Sequence, residues 1–224
     1  MKYSRVKLLI LTLCVSACGV AARAQQQQQP TPAQATSAQK ANARPSAEPA
    51  APVEPFDKAT PAELSAQCVT LETEAGAVEV EILGEAAPEN ARNFLNLVAA
   101  GAYDTTTFGR VVRGFVIQGG DLATREKLTP ELARRARRTV ADEPNLVKHA
   151  RGVVSMARTS EPDSATTSFF ILVGDGSHLD GTFSAFGRVR SGMEVVDAIN
   201  QAEVEGEKPV KPVRLTRATV KPCG

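Results

Sequence analysis

Residues 68–83, CVTLETEAGAVEVEIL, alternate apolar and polar side chains on both sides of Glu74-Ala75-Gly76. A period of two is the repeat of a strand that buries one face, and a glycine-containing turn between two such runs reads as a β-hairpin. Four more short apolar runs follow: GVVSMA (152–157), SFFILV (168–173), FSAFGRV (183–189) and VRLTRATV (213–220). Only two segments carry helical spacing. In APENARNFLNLV (87–98), Pro88 stands near a helix start, Ala91, Phe94, Leu95 and Val98 fall on one face, and Gly101 offers a stop; GMEVVDAI (192–199) is the shorter second. Many short strands with two helices predict a mainly β fold, and closing them into an antiparallel barrel removes the edges they would otherwise expose.

The chain does not begin with that pattern. MKYSRVK (1–7) is basic and LLILTLCV (8–15) is apolar, which reads as a secretory signal, too short for an ordinary membrane span. Two cleavage sites compete. VSAC (15–18) resembles the lipobox of bacterial lipoproteins, which would end the signal at residue 17 and lipidate Cys18; Ala22-Arg23-Ala24 before Gln25 has the small-x-small form of an ordinary signal-peptidase site, which would end it at residue 24. Acyl chains at about 0.8 kcal/mol per buried CH₂ would anchor durably, and this is the only membrane contact expected. Residues 25–64 are mostly Gln, Ala, Pro, Thr and Ser, as in QQQQQPTPAQATSAQK, and bury too little to offset their ordering entropy. They are expected to be a disordered tether to a domain at 65–224, exported to the periplasm or cell envelope.

Of the four cysteines, Cys14 leaves with the signal and Cys18 is lipidated or removed, so the domain keeps Cys68 and Cys223 at its two ends. In an oxidising compartment the pair reads as a disulfide worth roughly 5 kcal/mol by the chain-entropy model. Two buried free thiols are the alternative. If the first and last strands pair antiparallel, the two cysteines become neighbours, which favours the bond.

Twenty-six Lys and Arg against 25 Asp and Glu leave a net charge of +1, which points to no polyanionic partner. RRARR (134–138) is flanked by Glu126, Glu131, Asp142 and Glu143 with no interleaved aromatics, so it reads as a solvated face and not a nucleic-acid patch. The chain has two histidines, no G-x-S-x-G elbow, no phosphate loop and no Cys/His cluster at metal-ligand spacing. Hydrolase, kinase and metalloenzyme chemistry are therefore not indicated, and no metal or cofactor is expected.

FGRVVRGFVIQGGD (108–121), HARGVVSMART (149–159), SATTSFFI (164–171) and LDGTFSAFG (179–187), in that order and spacing, resemble the cyclophilin family of peptidyl-prolyl isomerases, most closely its short bacterial exported branch. The resemblance covers about residues 66–222. It implies an eight-stranded antiparallel barrel capped by two helices, with a proline-binding groove on its outer surface. It implies catalytic positions at Arg110, Phe115 and Gln118, the last orienting the substrate. Val116, Ala157, Arg158, Ser168, Phe170, His178, Leu179 and Phe183 fall at substrate-binding positions, Arg158 chiefly through its backbone. The expected partners are proline-containing segments of unfolded or flexible exported proteins, met by a monomer. Four positions depart from the family pattern: Gly109 and Phe183 stand where many members have histidine (or, for the latter, tyrosine), Ser168 replaces a common glutamine, and His178 replaces the tryptophan of cyclosporin-sensitive members, which predicts weak cyclosporin binding.

The chemistry of an X-Pro bond suits this residue set independently. Rotation must break amide resonance against a barrier of roughly 18–20 kcal/mol, and no covalent intermediate is required. In the twisted transition state the prolyl nitrogen regains a localised lone pair, so a guanidinium aimed at it bonds the transition state more strongly than the planar amide. Arginine is always charged, so this needs no tuned proton transfer. The competing reading is a non-catalytic proline-peptide binder or holdase on the same groove.

Overall fold

The computed structural model describes residues 53–224, which fold as a mainly β domain. In chain order the elements are α1 (Pro61–Ser65), β1 (Gln67–Thr73), β2 (Gly76–Ile82), α2 (Pro88–Ala99), β3 (Thr106–Thr107), β4 (Arg110–Val112), β5 (Val116–Gly119), α3 (Pro130–Arg135), β6 (Val153–Met156), β7 (Phe169–Leu172), β8 (Ala185–Ser191), α4 (Met193–Asn200), β9 (Val204–Glu205), β10 (Lys208–Pro209) and β11 (Arg214–Pro222). Nine strands form one antiparallel sheet in the order β3-β11-β1-β2-β8-β6-β7-β5-β4, and β9 and β10 form a separate hairpin. The sheet curls around the core as a half-barrel.

The expected hairpin is β1–β2, turning at Glu74-Ala75-Gly76. Its alternation buries Val69, Leu71, Val78, Val80 and Ile82. Helix α2 lays Ala91, Phe94, Leu95 and Val98 over the sheet, and Phe94 meets Tyr103, Phe169 and Phe186 with ring centroids 4.8–5.3 Å apart. Residue 87 is an alanine and gives α2 no side-chain cap. The Glu143 carboxylate takes that place, accepting the N–H groups of Glu89 at 3.0 Å and Asn90 at 2.8 Å, so the long 122–147 connection is stitched to the helix dipole's positive end.

Three details differ from the sequence expectation. The sheet has nine strands against eight, and the described pairings leave β3 and β4 as edges, not a hydrogen-bonded closure. Helices α1 and α3 are additional to the two expected; at five and six residues they are too short to show a 3.6-residue period, though Thr60-Pro61 and Thr129-Pro130 carry their caps. Packed chain also begins before residue 65. Phe56 packs on the core, its N–H donating to Asn96 Oδ1 at 2.8 Å, while Arg92 Nη1 donates to the carbonyls of Phe56 and Ala59 at 2.7 Å and Leu64 is fully buried. These few apolar anchors outweigh the polar composition that made 25–64 read as uniform tether. Arg135 and Arg138 of the basic cluster are committed to Glu54, at 2.7 and 3.2 Å. The signal segment, Cys18 and residues 25–52 lie outside the described residues.

The first and last strands pair antiparallel, with Cys68 opposite Lys221, and the sulfurs of Cys68 and Cys223 stand at bonding distance, with Cα atoms 5.0 Å apart. The crosslink would close a loop spanning 155 positions.

Strands β5, β6 and β7 are buried on both faces. Ile117, Val154, Met156, Phe169 and Ile171 enter the main core; Val116, Val153, Phe170 and Leu172 form a second apolar cluster on the outer face with Ala185, Phe115, Ala157, Leu179 and Phe183. A polar chain lies within this second layer. The His149 N–H donates to Asp180 Oδ1 at 2.8 Å, His149 Nδ1 lies 3.2 Å from the same oxygen, and His149 Nε2 lies 3.0 Å from Ser155 Oγ. The order is that of a hydrolytic triad, but Ser155 is fully buried and no substrate carbonyl can reach it. Its work is to hold the 177–183 segment, which carries Leu179 and Phe183, against the sheet.

Two outcomes follow from this framework. Reducing agent should lower stability by roughly 2–5 kcal/mol, read as a fall in the unfolding midpoint, and Cys223→Ala should abolish that sensitivity; a midpoint indifferent to reductant would show that no bond forms. Burial lowers the His149 pKa from the ordinary 6.5 against the opposing pull of Asp180. The unfolded chain therefore takes up this proton first, so the contribution to stability is complete above about pH 6.5 and falls as pH drops towards the folded value. The unfolding midpoint should decline as pH falls below about 6.5, and His149→Gln should flatten the decline.

Candidate active site

The stretch GRVVRGFVIQGGD folds as the β4–β5 hairpin, turning at Gly114 with φ 74°. Register makes Arg110 and Gln118 direct cross-strand partners, and Gln118 in turn lies opposite Phe170 of β7. Directly opposed residues of an antiparallel ladder share a face, so arginine, glutamine and phenylalanine form one rung on the outer side of the sheet. Arg110 Nη1 donates to Gln118 Oε1 at 3.3 Å.

Next to this rung is a cavity of about 210 Å³ lined by Arg110, Phe115, Val116, Gln118, Ala157, Arg158, Phe170, Leu179 and Phe183. That is smaller than the roughly 300–1,000 Å³ of a site for a drug-sized ligand and suits part of a peptide. The walls are mostly apolar, with Phe170 and Phe183 edge-to-face at 5.9 Å, and Arg110 and Gln118 form a polar edge beside them. A larger cavity of about 500 Å³, bordered by Glu79, Arg190, Lys221 and Gly224, is open, charged and without aromatic walls.

Nine of the eleven positions singled out in the sequence thus meet around one cavity. The other two stand beside it. His178 stacks on Phe115 with ring centroids 5.1 Å apart, extending the wall outwards. Ser168 contributes its backbone, accepting the Ala157 N–H at 2.9 Å and so fixing the strand edge that borders the cavity.

Arg158, expected to act chiefly through its backbone, also packs its side chain against the wall. Its guanidinium carbon sits 4.7 Å from the centre of the Phe183 ring, Nη1 and Nη2 donate to the carbonyls of Thr159 and Thr182 at 3.0 and 3.3 Å, and Nε lies 3.3 Å from Asp142 Oδ2 without the alignment of a hydrogen bond. The side chain therefore backs the aromatic wall.

Composition and spacing did not reveal Glu207. It follows Gly206 (φ 66°) in the β9–β10 hairpin, and its Oε2 accepts from Arg110 Nε at 2.6 Å. The pairing holds the Glu207 carboxyl below the usual carboxylate range. Arg110 thus has a charged neighbour, although the preceding residue is a glycine. Space does not dictate that glycine, since a Cβ there would meet nothing closer than a Thr124 methyl at 4.0 Å.

Comparison with known proteins agrees with this architecture. Residues 68–220 match the family model described as cyclophilin type peptidyl-prolyl cis-trans isomerase/CLD. A peptidyl-prolyl cis-trans isomerase A of Dickeya dadantii is 39% identical over 165 residues, covering 68% of this chain and 83% of that protein. An Arabidopsis thaliana peptidyl-prolyl cis-trans isomerase is 38% identical over 154 residues, covering 68% and 94%. Among solved structures, a Cryptosporidium parvum cyclophilin type peptidyl-prolyl cis-trans isomerase crystallised in the presence of the dipeptide Ala-Pro is similar with a TM-score of 0.61 at 28% identity, covering 69% of this chain and 98% of that one. A rung of arginine, glutamine and phenylalanine beside a residue-sized aromatic cavity, on a domain matched along most of its length, places this chain in the family of cyclophilin-type peptidyl-prolyl cis-trans isomerases.

Proposed function

We propose that this isomerase accelerates cis/trans exchange at X-Pro bonds of exported proteins, with Arg110 donating to the prolyl nitrogen as the amide twists. The observation that carries the reading is the placement of Arg110 and Gln118 on one rung at the edge of the cavity walled by Phe115, Phe170, Leu179 and Phe183. A proline ring seated among those side chains leaves its imide nitrogen at the polar edge. A guanidinium there gains strength only as resonance is lost, which lowers the barrier and does not merely tighten ground-state binding. Gln118 has an amide nitrogen to offer a substrate carbonyl while its oxygen accepts from Arg110. One side of the rotating amide bond is then fixed and the other is free to turn. The Ala-Pro dipeptide present with the Cryptosporidium relative supports proline as the group the cavity takes.

Export is the second part of the reading. It rests on the basic and apolar opening of the chain and on a cysteine pair held at bonding distance at the ends of the folded domain. Mass spectrometry of the mature N-terminus distinguishes a lipidated Cys18 from a free Gln25, and an unprocessed Met1 would contradict export altogether.

For catalysis, Arg110→Ala should lower kcat/KM on an Ala-Pro model peptide by about 10²–10³, the usual cost of one transition-state donor, with Arg110→Lys recovering only part. Equal rates for wild type and Arg110→Ala would leave the groove a proline-peptide binder without this mechanism. Cyclosporin should inhibit weakly, and His178→Trp should strengthen inhibition.

A further inference from the structure

Arg110 is fixed to a framework larger than its own hairpin. The buried Asn200 at the end of α4 donates from Nδ2 to the carbonyls of Val112 at 2.9 Å and Val116 at 3.0 Å, and its Oδ1 accepts the Gly114 N–H at 2.8 Å. The β4–β5 turn is thereby pinned to the helix. The β9–β10 hairpin, which follows that helix directly, is tied to the same strand by the Val111 N–H, which donates to the Glu207 carbonyl at 2.8 Å. The backbone of Glu207 therefore has a defined position relative to β4 whatever its side chain does.

We infer that Glu207 is a positioning residue for catalysis: its carboxylate holds the Nε–H edge of Arg110 so that the guanidinium stands ready at the cavity edge. This rests on the reading that Arg110 serves the prolyl nitrogen. Of the five N–H donors of a guanidinium, one goes to Glu207 and one to Gln118, which fixes the plane from two sides. The remaining donors belong to the terminal nitrogens, the part of the group that can meet a substrate. A free arginine on an edge strand samples many rotamers, and small misplacement of a catalytic group is expensive in rate. As an exposed surface pair, Arg110 and Glu207 add little to stability, so the value of the contact lies in orientation.

The test is a double-mutant cycle on the isomerase, reading kcat and KM for an Ala-Pro peptide in wild type, Arg110→Ala, Glu207→Ala, Glu207→Gln and the Arg110→Ala/Glu207→Ala double variant. Glu207→Ala should lower kcat by about tenfold with KM within about twofold and the unfolding midpoint unchanged. Glu207→Gln should restore most of the rate, because its amide oxygen still accepts from Nε. In the Arg110→Ala background Glu207→Ala should cost nothing further. An unchanged or higher kcat in Glu207→Ala, or an equal loss in both backgrounds, overturns the assignment. Should Arg110→Ala itself keep the wild-type rate, the reading of Arg110 fails first, and the cycle shows which of the two was wrong.

Discussion

Phe169 and Phe170 are adjacent in sequence and belong to different hydrophobic layers. Phe169 packs with Phe94, Tyr103 and Phe108 inside the half-barrel, while Phe170 faces outwards and lines the cavity. The two-residue period of β7 forces that division, and a slip of one residue would exchange the layers. Ladder pairing then transmits the constraint sideways: Phe170 fixes Gln118, Gln118 fixes Arg110, and on the other side Phe170 lies opposite Ser155, which His149 and Asp180 hold in place. The Arg110–Gln118–Phe170 rung is a consequence of register on strands packed from both sides, and Phe115, Leu179 and Phe183 complete the wall from the connections beside it.

That construction matches the demands of the reaction. Isomerisation about an X-Pro bond makes and breaks no covalent bond, so precision of placement counts for more than activated nucleophiles or tuned proton donors. Rigid strands supply the placement. The apolar walls are stiff for the same reason: Phe183 is braced between Phe170 and the guanidinium of Arg158, whose own donors are anchored to backbone carbonyls.

Much of this was legible in the sequence because it is written in local pattern. Alternation at 68–83 marked the first hairpin, helical spacing at 87–98 marked α2, and the motif blocks marked every residue now found around the cavity. What was not legible depends on contacts between distant segments. Glu207 lies 97 positions from Arg110 in an ordinary-looking Glu-Gly-Glu turn, and Glu143 caps a helix more than fifty residues before it. The packed stretch ahead of residue 65 was hidden for another reason: Phe56 and Leu64, with side-chain clamps from Arg92 and Asn96, dock a segment whose composition is otherwise that of a tether. The edges at β3 and β4 likewise follow from pairing in space, which strand count alone does not determine.

The claim that binding and rotation are separable tasks of one rung is tested most directly by exchange NMR on an Ala-Pro peptide at equilibrium with the protein, which reads occupancy and turnover in the same sample. With Arg110→Ala, peptide-induced shifts at Phe170 and Phe183 should persist while catalysed cis/trans exchange falls by about 10²–10³. Catalysed exchange at the wild-type rate after the loss of Arg110 would contradict the account.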